Sequence, residues 1–305
     1  MKWNKKGLIY GPDGDSWWAQ KGALQPTPLL RSDGSIRVFV GMRTREGVSR
    51  VGYVDVSAND PSQVLDVSRE PVLDIGIPGA FDENGVVPCA IIERDDKLYL
   101  YYAGYQLGQR VKFYVFGGLA ISSDGGETFE RYSDVPICDR TDDELFFRVI
   151  HTMMYENGRW RAWYGGGSEF TESAEGRQLP SYNIRHAESA DGVTLRNDYT
   201  VCVDMNKGEY RVGRPYVLKK EQRYLMFYGA GTEADGYRLT YAESVDGLAW
   251  QRKHSEVGID VSSSGWDSEM QAYPAVIITE CGAYLFYNGN NYGETGFGYA
   301  ELETW

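Results

Sequence analysis

The sequence predicts an all-β fold: a five-bladed β-propeller, its ring closed by the N-terminal strand joining the last blade, with residues 1–305 forming one domain. Three observations carry this. The chain is rich in Gly (36) and Tyr (23) for its 305 residues, the composition of a turn-rich β protein. A strand pattern recurs five times at an almost constant interval. The last copy ends too early to supply its own outermost strand.

Each copy holds an apolar strand with a Pro-like position near its start, a turn, an aromatic strand running into Gly, a loop and a third strand. The aromatic strands are Ile36–Gly41, Leu98–Gly104, Trp160–Gly165, Tyr224–Gly229 and Tyr284–Gly289. Aligned on positions 28, 88, 152, 215 and 274, the copies lie 60, 64, 63 and 59 residues apart. Three or four period-2 strands per copy make one blade. Ala-x-Ser-x-Asp-Gly recurs around Asp124, Asp191 and Asp246 and resembles the Asp-box of sialidase-type propellers. There Asp bonds the backbone of a tight turn and Gly supplies the positive φ, so these residues are expected between third and fourth strands, in a structural role. Lys2–Lys6 reads as the strand missing from the fifth copy, which would protect an open edge.

Charge narrows the partners. With 31 Lys and Arg against 44 Asp and Glu the chain carries −13, which disfavours nucleic acid and anionic membrane surfaces. No apolar run is long enough to span a bilayer, and the first residues lack a secretory signal. Four dispersed cysteines without a CxxC suit a reduced, cytoplasmic protein. Three isolated histidines give no zinc spacing, and no cofactor is expected.

In a propeller the starts of the inner strands, and the loops before them, converge on one mouth of the axis. The candidates gathered there are Gln25 and Thr27 with Asp15 upstream, then Asp82, Glu83 and Asn84. The third copy adds Arg148 and His151, and the fourth Glu209, Arg211 and Arg214. The fifth adds Trp266, Asp267, Glu269, Gln271, Tyr273 and Asn288. Two carboxylates flanking a glycosidic bond supply an acid and a base or nucleophile. The expected catalytic pair is Asp82 with Glu269, Asp267 tuning it. The expected substrate contacts are Glu83, Arg148, His151, Glu209, Arg211, Arg214, Trp266, Gln271, Tyr273 and Asn288. Arg and His would clamp an anionic group or shift carboxylate pKa values, and Trp266 and Tyr273 would stack on a pyranose face.

The segments Phe81–Val86, Gly265–Met270 with Tyr273-Pro274, and Tyr287–Asn290 with Gly293 resemble five-bladed glycosidase-like ("glucosyl hydrolase") proteins associated with surface-polysaccharide biosynthesis. More distantly the chain is similar to the arabinanase and xylosidase, invertase and levansucrase, and mannoside phosphorylase propellers. The resemblance implies a glycoside hydrolase-like enzyme acting on a bacterial surface glycan or its precursor. It also permits an axial ion such as Ca²⁺. The three-carboxylate pattern of arabinanases does not transfer, because Gln25 and Thr27, and Arg148 and His151, stand where acids would. Two alternatives stay open: a phosphate-dependent phosphorylase, suggested by Arg148, His151, Arg211 and Arg214, and a non-catalytic glycan-binding propeller.

Overall fold

A computed structural model describes residues 1–305. Nearly all of its regular structure is strand. After β1 (Lys2–Tyr10), the strands fall into five consecutive antiparallel groups. The first holds β2 (Lys21–Leu30), β3 (Ser35–Arg43), β4 (Ser49–Ser57) and β5 (Val64–Val67). The second holds β6 (Val86–Arg94), β7 (Lys97–Leu107), β8 (Phe113–Ser122) and β9 (Glu130–Arg131). Next come β10 (Phe147–Glu156), β11 (Arg159–Glu172), β12 (Gln178–Ser189) and β13 (Thr200–Val203). The fourth group is β14 (Glu209–Lys220), β15 (Arg223–Thr232), β16 (Gly236–Ser244) and β17 (Gln251–Arg252). The last is β18 (Ala272–Thr279), β19 (Gly282–Asn288) and β20 (Phe297–Thr304), with β1 paired along β20 from Lys2–Thr304 to Tyr10–Phe297. The second and third groups are joined into one sheet by a short parallel pairing of β8 with β10. No helix is long and apolar enough to cross a membrane.

The aromatic strands are apolar on both faces because each sheet packs between two others. Successive strand residues point to opposite faces. Tyr101 packs with Trp160 and Tyr164 of the third group, while its neighbour Tyr102 packs with Phe39 and Tyr53 of the first. Trp163 and Ile184 meet Met226 and Val217, and Phe227 and Tyr241 meet Leu285 and Tyr287. Phe286 and Tyr299 close onto Val38 and Val54 of the first group. The leading strands follow the same order, β2 against β6, β6 against β10, β10 against β14, β14 against β18, and β18 against β2.

The three Asp-Gly turns lie between third and fourth strands, as their sequence predicts. Asp124 accepts hydrogen bonds from the Glu127 and Thr128 amides, Asp191 from those of Val193 and Thr194, and Asp246 from those of Leu248 and Ala249.

Every leading strand carries a bulge. The register slips at Gln25, Cys89, His151, Arg214 and Tyr273. At Gln25, Arg214 and Tyr273 the backbone enters the left-handed region, with φ of 54°, 55° and 57°. Each of these three precedes a proline, so Pro26, and not Pro28, corresponds to Pro215 and Pro274. The first repeat therefore aligns two residues earlier than the sequence pattern suggests.

Candidate functional site

The bulges decide what reaches the space between the leading strands. Arg214 is fully buried and donates to the Cys89 carbonyl (2.6 Å), the His151 carbonyl (3.4 Å), the Pro26 carbonyl (3.5 Å) and Thr27 Oγ1 (3.0 Å). One guanidinium thus ties β2, β6, β10 and β14 together. Burial pulls its pKa down, and no carboxylate pairs with it. His151 is buried beside it. Burial first, and then the Arg214 charge, hold the imidazole well below its ordinary value, so it is neutral.

Two cavities lie along these strands. The smaller, about 290 Å³, is bordered by His151, Thr27, Tyr216 and Lys219. The larger, about 620 Å³, draws its lining from all five groups. Arg43 ends β3, Tyr105 and Val115 come from β7 and β8, Phe147 and Tyr182 from β10 and β12, Tyr210 and Arg211 from β14, and Tyr273 from β18. Lys112 and Phe113 enter at the β7–β8 turn. Arg177 to Pro180 come from the long β11–β12 hairpin, and Asn291 and Tyr292 from the single turn α1 (Asn290–Gly293). Five tyrosines, four cations and no carboxylate line this cavity.

Arg211 organises one wall. It donates to Tyr292 Oη at 2.6 Å, and its guanidinium carbon stands 4.1 Å over the Tyr237 ring and 4.7 Å over Tyr210. Tyr237 and Tyr182 hydroxyls bond each other directly. Burial works to discharge Arg211, but the surrounding tyrosines outweigh it and keep its pKa well above the ordinary guanidinium value. Burial pushes Tyr105 up to about 12 and Tyr273 and Tyr210 well upward, so these phenols hold their protons.

Of the residues expected at the mouth, Arg211 and Tyr273 line the cavity, and His151 and Arg214 fill the space between the leading strands. The acids do not meet in the cavity. Asp82 is completely buried against Arg131 Nε (2.9 Å) and Tyr102 Oη (3.0 Å). Asp267 is buried against Lys5 (3.0 Å), Tyr287 Oη (3.0 Å) and Gln271 Nε2 (3.1 Å). Burial raises the Asp267 pKa, but hydrogen bonds from Ser262, Lys5 and Gln271, with the Lys5 charge, bring it below the usual carboxylate value. A group so held is a poor general acid.

Glu209 shows the same plan. Its carboxylate takes two bonds from Arg252 (2.6 and 3.0 Å), which offset burial and lower its pKa, and Arg252 stands over Tyr228. Glu144, which the sequence reading passed over, completes the series with Arg148 and Arg185, and Arg148 lies over Tyr164. So an acid at or just before the start of four leading strands is locked to a cation beside a tyrosine of the second strand. In three of the four, the cation comes from the outermost strand.

Glu269 is exposed, and its amide bonds Asn290. Glu83 accepts from the Gly79 amide within its own loop, where Asn84 Oδ1 takes the Leu107 amide. Arg148 is spent on Glu144, the Asp139 carbonyl and Asn197. Trp266 stacks on Tyr287, with 5.0 Å between centroids. Asn288 is fully buried and bonds the Gln25 amide and the Ala23 and Gly296 carbonyls, stitching the last group to the first. The Glu83, Arg148, Trp266 and Asn288 side chains are thus engaged within the framework, and that of Glu269 is exposed.

Tyr105, Tyr182, Tyr210, Tyr292, Lys112 and Arg177 were missed. The available signal was a Tyr just after the Gly of an aromatic strand, as at Tyr105 and Tyr292, or at the start of a leading strand, as at Tyr210.

No protein-family model matches the chain. Its fold is that of the glycoside-hydrolase-like propellers. It superposes on two structures, one described as a BT0996 RGII complex and one as a glycoside hydrolase. Each gives a TM-score of 0.74 at 20% identity, covering 99% of this protein and 92% of the neighbour. A thermostable family-43 glycoside hydrolase gives 0.70 at 17% identity, covering 94% and 90%.

In sequence, the chain belongs to the same family as the uncharacterized protein Rv1502 of Mycobacterium tuberculosis, with which it is 33% identical over 304 residues, 99% of this chain and 100% of the relative. A shorter stretch of 96 residues, 30% of this chain and 31% of the relative, is 29% identical to a beta-1,2-mannobiose phosphorylase of Thermoanaerobacter sp..

Proposed function

We propose that the protein is a glycosidase-like enzyme that takes an anionic carbohydrate into the tyrosine-lined cavity of a single-domain, five-bladed propeller closed by β1. The cyclic succession of leading strands and the β1–β20 pairing support the ring. The observation that carries the ligand class is the cavity lining. Arg43, Lys112 and Arg211 face a space whose lining holds no acid, Arg177 beside them is paired with Glu175, and aromatic faces suit the apolar side of a sugar ring. A phosphorylated sugar and a uronate share the required chemistry. An action on surface glycans rests on the sequence resemblance alone, and a cytoplasmic location on the dispersed cysteines.

The test is calorimetric titration with glucose 1-phosphate, methyl glucuronide and methyl glucoside. Charged ligands are expected to bind at least about tenfold more tightly than the neutral one, a difference of about 1.4 kcal/mol. Arg211→Ala should erase that difference while leaving thermal unfolding cooperative. Equal affinity for neutral and charged ligands refutes the proposal.

Phosphorolysis is the second reading, favoured by the local similarity to the mannobiose phosphorylase and by the same cations. It requires turnover that depends on added phosphate. A Ca²⁺ between the leading strands fits poorly, because the Pro26, Cys89 and His151 carbonyls that would ligate it already accept from Arg214.

A further inference from the structure

We propose that Tyr292 is the general acid of this cavity, donating its phenolic proton to the leaving oxygen of the glycosidic bond. This rests on the preceding reading that the cavity processes a carbohydrate. Bond cleavage there needs a proton donor, and no carboxylic acid lines the cavity. The donor must then come from the phenols. Tyr182 is bonded to Tyr237. Tyr105, Tyr210 and Tyr273 are pushed upward by burial, which disfavours the anion each would leave behind.

Tyr292 differs in two ways. Its oxygen already accepts a 2.6 Å hydrogen bond from the Arg211 guanidinium, so its own proton is free to point elsewhere and the phenolate has a cation waiting. Its backbone is also held in an uncommon conformation. Asn291 and Tyr292 are consecutive left-handed residues, with φ of 48° and 60°. The turn is fixed from behind: the Gly293 amide bonds the Gly289 carbonyl, and a Cβ on Gly293 would lie 2.2 Å from Asn288 Nδ2. Left-handed bulky residues persist where the surroundings enforce them, and such sites often serve function.

In the step, water or phosphate attacks the anomeric carbon as the C–O bond breaks. The electron pair of that bond goes to the leaving oxygen, which takes the Tyr292 proton and departs as an alcohol. The phenolate, paired with Arg211, is reprotonated by the proton released from the attacking group.

The experiment compares wild type with Tyr292→Phe on 2,4-dinitrophenyl and methyl glycosides of hexoses and hexuronic acids, with and without phosphate. A dinitrophenolate leaves unaided, whereas methanol needs a proton. Turnover of the methyl glycosides is expected to fall about 10²–10⁴-fold, the usual range for losing a general acid. Turnover of the dinitrophenyl glycosides should change little. Unchanged rates on both series overturn the assignment and leave the wider reading standing. An equal loss on both also overturns it, because the residue then positions substrate without protonating it. A wild type that cleaves neither series fails the wider reading and this assignment together.

Discussion

Replacing Lys5 by Met tests whether Asp267 is a structural carboxylate. The pair is 3.0 Å apart, with the Asp267 side chain 2% exposed and that of Lys5 27%. Removing one partner of a buried pair strands the other charge, typically at about 3–5 kcal/mol. Here Tyr287 and Gln271 stay bonded to Asp267, and Lys5 is partly screened, so about 2–4 kcal/mol is expected. With an unfolding entropy near 2.1 cal/mol/K per residue, a loss of about 3 kcal/mol lowers the Tm by about 5 °C. Asp267→Asn should cost less, about 1–2 kcal/mol, because the freed ammonium can turn to water.

The sign with pH follows from Asp267. Its folded pKa lies below the ordinary aspartate value of 3.8, so the pair's contribution is present above that value and is lost as pH falls through the folded one. Urea unfolding at pH 7 and at a pH below that folded value should show the Lys5→Met penalty at the first and a much smaller one at the second. A penalty under about 0.5 kcal/mol at pH 7, or one equal at both pH values, refutes this account. Ligand affinity that drops with Asp267→Asn while stability holds would return Asp267 to the catalytic role.

Two further expectations concern the framework. Asn288→Ala removes three buried bonds, two of 2.7 and 2.8 Å between the last and first groups and one of 2.9 Å to Gly296 within the last. At about 1 kcal/mol each the loss is about 3 kcal/mol, read as a shifted urea midpoint with unchanged slope. Asp124 and Asp191 are opposed by burial but brought down to about 2 by bonds from Thr128 and Ser122, and from the Thr194 and Val193 amides. Their contribution is complete above about pH 4 and is lost as pH falls toward 2. The Asp124→Asn and Asp191→Asn double variant should therefore flatten the stability decline across that window.

The strand repeat was legible because both sheet faces are buried, which writes aromatic and aliphatic residues into every second strand. The Asp-Gly turns and the strand at Lys2–Tyr10 were legible because their chemistry is local. The cavity was not. A bulge shifts side-chain direction, and neither Gln25 nor Tyr273 announces its left-handed backbone. The acids are a related case. Asp82 and Asp267 look catalytic singly, but Glu144 and Glu209 occupy the same place in their own repeats. Four copies of one acid arrangement point to framework, since a single reaction centre has no use for all of them. Tyr292 escaped notice because Asn-Gly-Asn-Asn reads as an ordinary hairpin.

Arg214 gives the hub a stopper. Its guanidinium is wedged among four leading strands and blocks the gap between them. For the proposed ring and carbohydrate, a chain is then expected at a loose end or a side branch, never strung through like a bead on thread.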